Sequence, residues 1–330
     1  MRSGGLRRIV GAIARNGVIN MPAAVSHLPA ISNGVGYASR EYAESLSEFG
    51  DVCALPNCGG WLLATPIPRT ELRDALGCYP LFSCGDWTAL GDDLAALATR
   101  LVSVRLVTDS FAEVTAVELA AAFPDVCYEY KQHFVTDLAR PLEQFVDRHH
   151  QRNARKALRA VEVGNATIDA GLLGEWCGLY QHLVERHGIT GIQRFSPASF
   201  AKQLGVPGLL AFAAREGSET CGMTLWYVRG DVAYYHLAAY NERGYELRAS
   251  FALFWHALTQ FAKLGIRWAA LGAGAGTQAS DSGLTRFKRG WATGTRPVYF
   301  CGRILQPRAY AELVGRSQNV QGYFPAYRHS

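Results

Sequence analysis

The chain has 330 residues, of which 49% are hydrophobic, 18% are charged and 11% are aromatic. This composition excludes a disordered, collagen-like or coiled-coil protein, and the length suits two domains or one large α/β domain. No apolar run is long enough to span a bilayer, and the basic N-terminal stretch lacks the cleavage site of a signal peptide. Eight cysteines, most of them single in apolar contexts, indicate buried thiols in a reducing compartment, so we predict a cytoplasmic protein without a metal site.

Charge is unevenly distributed along the sequence. Residues 1–140 contain 11 Lys and Arg against 15 Asp and Glu, whereas residues 141–330 contain 22 against 13. We therefore expect the second part to meet an anionic partner such as a phosphate, coenzyme A or a nucleic acid. A basic face that only contacts solvent is the alternative.

The first 140 residues alternate between helical and extended patterns. Helical spacing follows an acidic start in 92–102, and alternation in 103–108 and 128–135 predicts two strands. These elements predict a mixed α/β domain over residues 1–140.

Helices dominate the next segment. Pro141 begins a helix that extends to about Val161, and a second helix spans 172–187. Ser196-Pro197 is a good cap-then-proline start for a third helix, which ends before Gly205. The C-terminal half of the first of these helices is strongly basic.

An antiparallel meander follows these helices. Residues 209–215, 221–228 and 232–240 alternate as strands, and Gly230-Asp231 between the last two is a hairpin signal. The remaining elements are a polar loop (241–248), a helix (249–264), a strand (266–271), a glycine-rich loop (272–276), a short helix (284–289) and a last strand (296–301).

Two loops in this half are candidates for a phosphate site. The glycine-rich loop has Thr277 where a dinucleotide-binding fingerprint needs its third glycine, and it lies near the end of the chain, which argues against a Rossmann site. The polar loop leads into the N-terminus of the helix at 249–264, where backbone amides can bind a phosphate. Arg243, Arg248 and Ser250 would form this donor site; an ordinary strand-to-helix connection is the alternative.

Three segments are similar to the GNAT acyltransferase superfamily, and more narrowly to the Fem-like aminoacyltransferases and their acetyltransferase relatives. They are the basic helix around Arg152–Arg159, the helix-to-strand passage from Ala249 to Gly272, and Gly283-Leu-Thr-Arg-Phe-Lys-Arg-Gly-Trp291, which resembles the family's Gly-Leu-x-x-Phe-Lys-x-Gly-Phe ending. The resemblance covers roughly residues 140–305. Trp291 replaces the usual Phe, and no helical-arm insertion is visible, which argues against a cell-wall substrate.

The resemblance implies a GNAT-type α/β (α+β) fold, a mixed and mostly antiparallel sheet flanked by helices. Residues 141–330 would form the acyltransferase lobe. By analogy with tandem Fem-like proteins, residues 1–140 would form a degenerate GNAT-like lobe.

The function implied by the resemblance is transfer of an acyl or aminoacyl group from acyl-CoA or aminoacyl-tRNA, as co-substrate, to an amine on a small molecule or peptide. The amine would attack directly, and strand amides would bind the oxyanion where the sheet splays. The alternative is a non-catalytic GNAT-fold binding or scaffold protein.

Three residues are candidates for acid–base chemistry. His236, within the strand 232–240 and among tyrosines, is the first candidate for a general base, and a hydrogen-bonded core histidine is the alternative. Glu246 is the second, with an exposed loop carboxylate as its alternative, and Tyr240 completes the set.

Cations form the second group of candidates. Arg286 and Lys288 on the short helix would contact the donor phosphate, unless they are plain surface residues. Four cations of the basic helix are candidates for contact with tRNA or substrate: Arg152, Arg155, Lys156 and Arg159.

Overall fold

The computed structural model describes residues 34–274, 282–315 and 322–328. The N-terminal basic stretch and the end of the glycine-rich loop, Ala275 and Gly276, lie outside these residues.

The strands of the described residues are β1 Asp51–Leu55, β2 Gly60–Pro66, β3 Arg73–Gly77, β4 Ser103–Val107, β5 Val126–Asp137, β6 Glu162–Asn165, β7 Leu209–Glu216, β8 Glu219–Arg229, β9 Val232–Tyr240, β10 Trp268–Gly272 and β11 Gly294–Ile304. The α-helices are α1 Arg40–Ser45, α2 Leu90–Ala96, α3 Ala116–Ala122, α4 Leu142–Phe145, α5 Arg148–Ala157, α6 Ala170–His187, α7 Pro197–Gln203, α8 Glu242–Glu246, α9 Ala249–Lys263, α10 Gly283–Arg289 and α11 Pro307–Gly315. Each of these elements belongs to one of two compact units, apart from β5 and β11, which cross the division.

We call the two units central and flanking, after their positions in the sequence. The central unit contains His133–Thr295 together with the described residues 34–36, and the flanking unit contains Tyr37–Gln132 and Arg296–Ser330. The predicted division between residues 140 and 141 therefore differs from the observed one. β11 pairs antiparallel with β4, so the end of the chain groups with the first part, and no local pattern reports a partner so distant in sequence.

In the central unit the strand order is β5-β10-β9-β8-β7-β6. All of these neighbours are antiparallel except β9 and β10, which are parallel. α9 packs on the sheet with one fully buried face, in which Leu253, Phe254 and Phe261 have no exposed surface. This spacing follows the helical repeat, which explains why the sequence predicted α9 correctly.

In the flanking unit β1, β2, β3, β4 and β11 are neighbours in that order. Only β3 and β4 among them are parallel. An apolar core lies between this sheet and α2 and α3, with Leu62, Leu94 and Val104 fully buried. The predicted fold class, a mixed and mostly antiparallel sheet flanked by helices, is confirmed.

The predicted long helix from Pro141 to Val161 is instead two helices, α4 and α5. Val146 has an extended backbone, and Asp147 caps α5 by accepting a hydrogen bond from the His149 amide at 2.6 Å. The Asp147 amide in turn donates to the Gly290 carbonyl at 2.9 Å. A capping aspartate starts a new helix here because its side chain replaces a missing backbone partner.

Candidate active site

The sheet of the central unit opens between β9 and β10. The two strands pair only over three residues each, ending with Ala270 opposite Tyr234. Beyond that point β9 remains paired with β8 as far as Tyr240. β10 remains paired with β5, and Gly272 lies opposite Phe134. Among the described residues the ladder between β9 and β10 therefore stops halfway, and backbone groups of both strands border the gap.

A β-bulge coincides with the start of this opening. On β8, Leu225 lies opposite Leu237 and Trp226 lies opposite Tyr235, so His236 is an additional residue on β9. A bulge bends a strand and increases its local twist. Gly272 on the other side has a left-handed backbone, with φ of 73°, where β10 ends. Both features direct the strands apart.

Lys288 reaches this opening from α10. Its side chain is 7% exposed, and its Nζ donates to the Ala273 carbonyl at 2.7 Å, directly after β10. The same Nζ lies 5.5 Å from the centre of the Tyr235 ring on β9. A Cβ on Gly272 would lie 3.3 Å from it, so glycine leaves room for the ammonium group. The Lys288 ammonium group is thus buried beside the gap, in contact with Tyr235 of β9 and with Ala273 after β10.

The motif that contains Lys288 is fixed by aromatic packing. Phe287 and Trp291 lie against Phe254 of α9, with ring centres 4.8 and 5.6 Å away. Gly290 lies so close to His150 of α5 that a Cβ would overlap the imidazole ring. Each residue of the Phe-Lys-x-Gly-Trp motif therefore has a structural role. The two aromatic rings pack α10 against α9, the glycine allows α5 to approach closely, and the lysine side chain extends to the opening.

His236 is on β9 but does not join Lys288. Its Nε2 lies 3.0 Å from Oε1 of Gln203 on α7, and its ring packs on Tyr227 at 4.7 Å. Tyr235, the neighbour in sequence, packs instead against Phe254, as expected for successive strand residues that point to opposite faces. Burial lowers the pKa of His236 to about 3, far from the near-neutral value that suits a general base. These contacts favour the core-histidine alternative.

The other two acid–base candidates contact residues other than Lys288. The Tyr240 ring is buried and packs on Tyr245, and burial raises its pKa. Glu246 is exposed and accepts a hydrogen bond from Arg243 at 2.9 Å. Arg243 also binds Glu216 at 2.6 Å, so two carboxylates neutralise this predicted phosphate ligand.

The polar loop before α9 contains a short helix, α8, rather than an extended phosphate loop. Arg248 stands at the N-cap of α9 with a left-handed backbone, φ of 59°, and its Nη1 donates to Oδ1 of Asn153 on α5. Ser250 is partly exposed in the first turn. The start of α9 and the basic helix therefore meet through Arg248 and Asn153.

The basic helix α5 has two distinct faces. His150, Asn153, Ala154 and Ala157 are buried, whereas the cations point to solvent. The exposed cations of α5 and of the turn that follows it are Arg148, Arg152, Arg155, Lys156 and Arg159. The break at Asp147 sets the phase of α5, so that His150 lies on the buried face and His149 is exposed.

A cavity of about 420 Å³ lies beside α10. Its lining residues are Phe145, Asp147, His150, Arg286, Arg289 and Gly290. Arg286, predicted as a donor ligand, is exposed here rather than at the opening. His150 is 7% exposed, its Nε2 lies 2.9 Å from the Phe287 carbonyl, and burial lowers its pKa.

Comparison with known families agrees with this geometry. Residues 145–289 match the family model described as an acetyltransferase (GNAT) domain. This segment is therefore similar to GNAT acetyltransferase domains. It lies within the central unit and contains α5, the opening and most of the motif around Lys288, so the resemblance inferred from the sequence is confirmed.

Solved structures with a similar fold cover most of the chain. FemX is 15% identical, with a TM-score of 0.61 over 86% of this chain and 95% of its own. A putative lysylphosphatidylglycerol synthetase C-terminal domain from Agrobacterium fabrum is 12% identical, with a TM-score of 0.59 over 90% of this chain and 92% of its own. L-PGS from Bacillus licheniformis is 14% identical, with a TM-score of 0.52 over 82% and 94%. At these identities the likeness is one of fold.

Two features are absent: a significant match to a curated protein and a membrane-spanning helix in the described part of the chain. No curated protein matched the sequence significantly. Among the helices of the described residues, none has the length and apolar character needed to cross a bilayer.

Sequence reasoning missed three residues that shape the site. Tyr235 was noted only as a neighbour of His236, yet its ring faces Lys288. His150 and Asn153 were hidden within the basic helix, although they join it to α10 and α9. The signal for both was present, since neutral polar residues interrupt a run of cations at the spacing of one helix face.

Proposed function

We propose that the protein transfers an acyl or aminoacyl group from an activated ester or thioester to an amine, at the opening between β9 and β10. The observation that supports this most is the Lys288 ammonium group, buried beside the gap where the two strands part. The GNAT family match supports an acyltransferase in general.

The chemistry requires few protein groups. The amine attacks the carbonyl carbon, a C–N bond forms, and the C–O or C–S bond to the carrier breaks as the amine proton passes to the leaving atom. Negative charge develops on the carbonyl oxygen in the transition state. A fixed hydrogen-bond donor in a site with little water stabilises that charge more than water does. This stabilisation is usually the largest single contribution to the rate enhancement of acyl transfer.

Lys288 fits this task better than the phosphate contact that the sequence suggested. A phosphate ligand is normally reached from solvent, whereas Lys288 is 7% exposed and is held by the Ala273 carbonyl. Its Nζ lies between Tyr235 of β9 and Ala273, directly after β10, and so borders the gap into which a substrate carbonyl would insert. We therefore assign to Lys288 the stabilisation of the oxyanion, together with strand amides.

The donor that we propose is an aminoacyl-tRNA. Five exposed cations line α5 and its following turn, and Arg248 links this helix to the start of α9. A phosphodiester backbone needs such an extended basic surface, whereas coenzyme A needs one compact pyrophosphate pocket. The candidate pocket at the polar loop is weakened because Glu216 and Glu246 neutralise Arg243. By its name, the lysylphosphatidylglycerol synthetase among the similar structures also handles an aminoacyl group.

The test compares salt dependence of donor binding. Arg152, Arg155 and Arg159 are replaced together with Gln, and binding of a mixture of aminoacyl-tRNAs is measured between low and moderate salt. Loss of three phosphate contacts would reduce the slope of log affinity against log salt by up to about three. The matched control replaces three exposed cations of the flanking unit, Arg40, Arg100 and Arg308, with Gln.

The outcomes separate the candidate functions. A flatter slope in the α5 variant alone supports the tRNA donor. If acyl-CoA but not tRNA supports transfer, and the α5 variant changes transfer little, the donor is a small thioester. If the wild-type protein transfers neither kind of group to any amine tested, the non-catalytic scaffold alternative is correct.

A further inference from the structure

The cysteines of this protein are concentrated in one unit. All eight are free thiols, and six of them belong to the flanking unit. Two of these six, Cys127 on β5 and Cys301 on β11, lie on strands that are neighbours in the sheet. Their Sγ atoms are 4.0 Å apart although 174 positions separate them in sequence.

The two sulfur atoms have different access to solvent. Cys301 has no exposed surface and is part of the apolar core of the flanking unit, whereas Cys127 is partly exposed and packs at the edge of that core. Burial raises the pKa of Cys301, and the neighbouring Cys127 sulfur raises it further. An oxidant from solvent therefore meets Cys127 first, and Cys301 lies behind it within reach.

We propose that Cys127 and Cys301 form an oxidisable dithiol, a modification site for two-electron oxidants of the peroxide class. In the first step the Cys127 sulfur attacks a peroxide oxygen: the S–O bond forms, the O–O bond breaks, and water leaves as the sulfur is oxidised to the sulfenic acid. In the second step the Cys301 sulfur attacks Cys127. The S–S bond forms, the S–O bond breaks, and the Cys301 proton leaves with the oxygen as a second water.

The geometry needs only a small change to complete this bond. A disulfide brings its sulfur atoms to about 2 Å and joins Cα atoms about 4.4–6.8 Å apart, a range that includes facing residues of neighbouring strands. Cys127 is only partly buried, so a rotation of its side chain is less restricted than one of the fully buried Cys301. Because the Cys301 thiol is only 4.0 Å away, disulfide formation competes with further oxidation of the Cys127 sulfenic acid.

The position of this bond in the chain gives it a specific consequence. β5 enters the central unit at His133, and β11 leaves it at Thr295. A bond between Cys127 and Cys301 would therefore enclose His133–Thr295, the larger part of the central unit, in one covalent loop. Closing a long loop restricts the unfolded chain, so the oxidised protein should resist unfolding more than the reduced protein.

The experiment treats the full-length folded protein with a small excess of hydrogen peroxide and measures its intact mass and its non-reduced peptide map. The expected result is the loss of two hydrogen atoms, a cross-linked peptide pair containing Cys127 and Cys301, reversal by dithiothreitol, and a higher melting temperature before reversal. Cys127→Ser should abolish the cross-link. Cys177→Ser is the matched control because Cys177 is also partly exposed, and it should leave the cross-link intact.

Two results would overturn the proposal. One is accumulation of sulfinic acid at Cys127 without a link to Cys301 in protein that remains folded. The other is a cross-link that persists in Cys127→Ser, which would assign it to other cysteines. The peptide map of the wild-type protein decides the question even if a variant of buried Cys301 fails to fold.

Discussion

The central and flanking units differ in net charge. His133–Thr295 contains 18 Lys and Arg against 13 Asp and Glu, whereas residues 37–132 and 296–330 of the flanking unit contain 11 against 15. The remaining residues, 1–36, contain four Arg and no acid, so the three parts carry +5, −4 and +4 and add to the net charge of +5. A positive field around the opening concentrates anionic partners there, whereas the net negative flanking unit repels them.

Buried ions show the same difference at close range. In the flanking unit, Asp74 is 1% exposed and is held by the Arg328 guanidinium, with 2.7 Å between Nη2 and Oδ1. Tyr327 and Thr65 donate further hydrogen bonds to the same carboxylate. In the central unit, Lys288 lies beside a gap in the sheet. A buried ion with such a set of partners maintains a fold, whereas a buried ion beside an opening can act on a substrate.

The first prediction tests the role of that opening. Lys288→Met should lower kcat for acyl transfer by ~10²–10³-fold, because an oxyanion donor is worth about 2.7–4 kcal/mol in the transition state. Its effect on KM should be small. The measurement is steady-state transfer, with circular dichroism to confirm folding.

Arg289→Gln, an exposed cation on the same helix, is the control for Lys288→Met. An increase in KM with unchanged kcat would contradict the oxyanion role and support the phosphate contact that the sequence suggested for Lys288.

The second prediction concerns the flanking unit. Asp74→Ala leaves the Arg328 charge without its carboxylate and should reduce the free energy of unfolding by ~3–5 kcal/mol. Urea unfolding measures it. Asp51→Ala removes an exposed ion pair with Arg73 and should cost no more than about 1 kcal/mol. Equal effects of the two substitutions would show that burial does not distinguish these pairs.

A third prediction tests the contact between α5 and the Lys288 motif. Gly290→Ala places a methyl group in the His150 ring and should destabilise the protein by ~1–3 kcal/mol, since the packed neighbours must shift. Gly283→Ala at the start of the same helix meets no atom within 4 Å and serves as control. Thermal unfolding of the two variants is compared, and an unchanged melting temperature for Gly290→Ala would contradict the packing described.

The smallest effect is the pH dependence that His236 adds. Its pKa is lower in the folded protein, about 3, than the ordinary value of 6.5, so protonation favours the unfolded chain. The stabilisation is fully present above pH 6.5 and is lost as the pH falls toward 3. Between pH 7 and pH 5.5 the loss should be ~1 kcal/mol, at about 1.4 kcal/mol per pKa unit.

The corresponding measurement is urea unfolding at both pH values for the wild type and His236→Gln. The variant should lose less stability on acidification than the wild type, because Gln does not titrate. Parallel losses in the two proteins would show that other groups account for the acid sensitivity.

Local signals predicted local structure well. Ser196 caps α7 by accepting a hydrogen bond from the Ser199 amide, as the Ser-Pro pair indicated, and the Gly230-Asp231 turn joins β8 and β9. The Phe-Lys-x-Gly-aromatic spacing identified the motif around Lys288. Each of these depends on residues that are neighbours in sequence or one helical turn apart.

The remaining features depend on partners far along the chain. The direction of the Lys288 side chain is set by Ala273 and Tyr235, and the burial of His236 is set by Gln203. The pairing of β11 with β4 decides the division into units. No periodicity in the sequence encodes these long-range choices, so a catalytic role was assigned to the histidine that the fold buries.

The return of β11 to β4 also matters while the protein is being made. A ribosome that has finished β4 must add about 190 further residues before β11 exists, which takes roughly 10–40 s at ~5–20 residues per second. During that interval the edge of β4 that β11 will cover has no strand to pair with. Open strand edges are templates for aggregation. We therefore expect the nascent flanking unit to be exposed to aggregation until β11 has been synthesised.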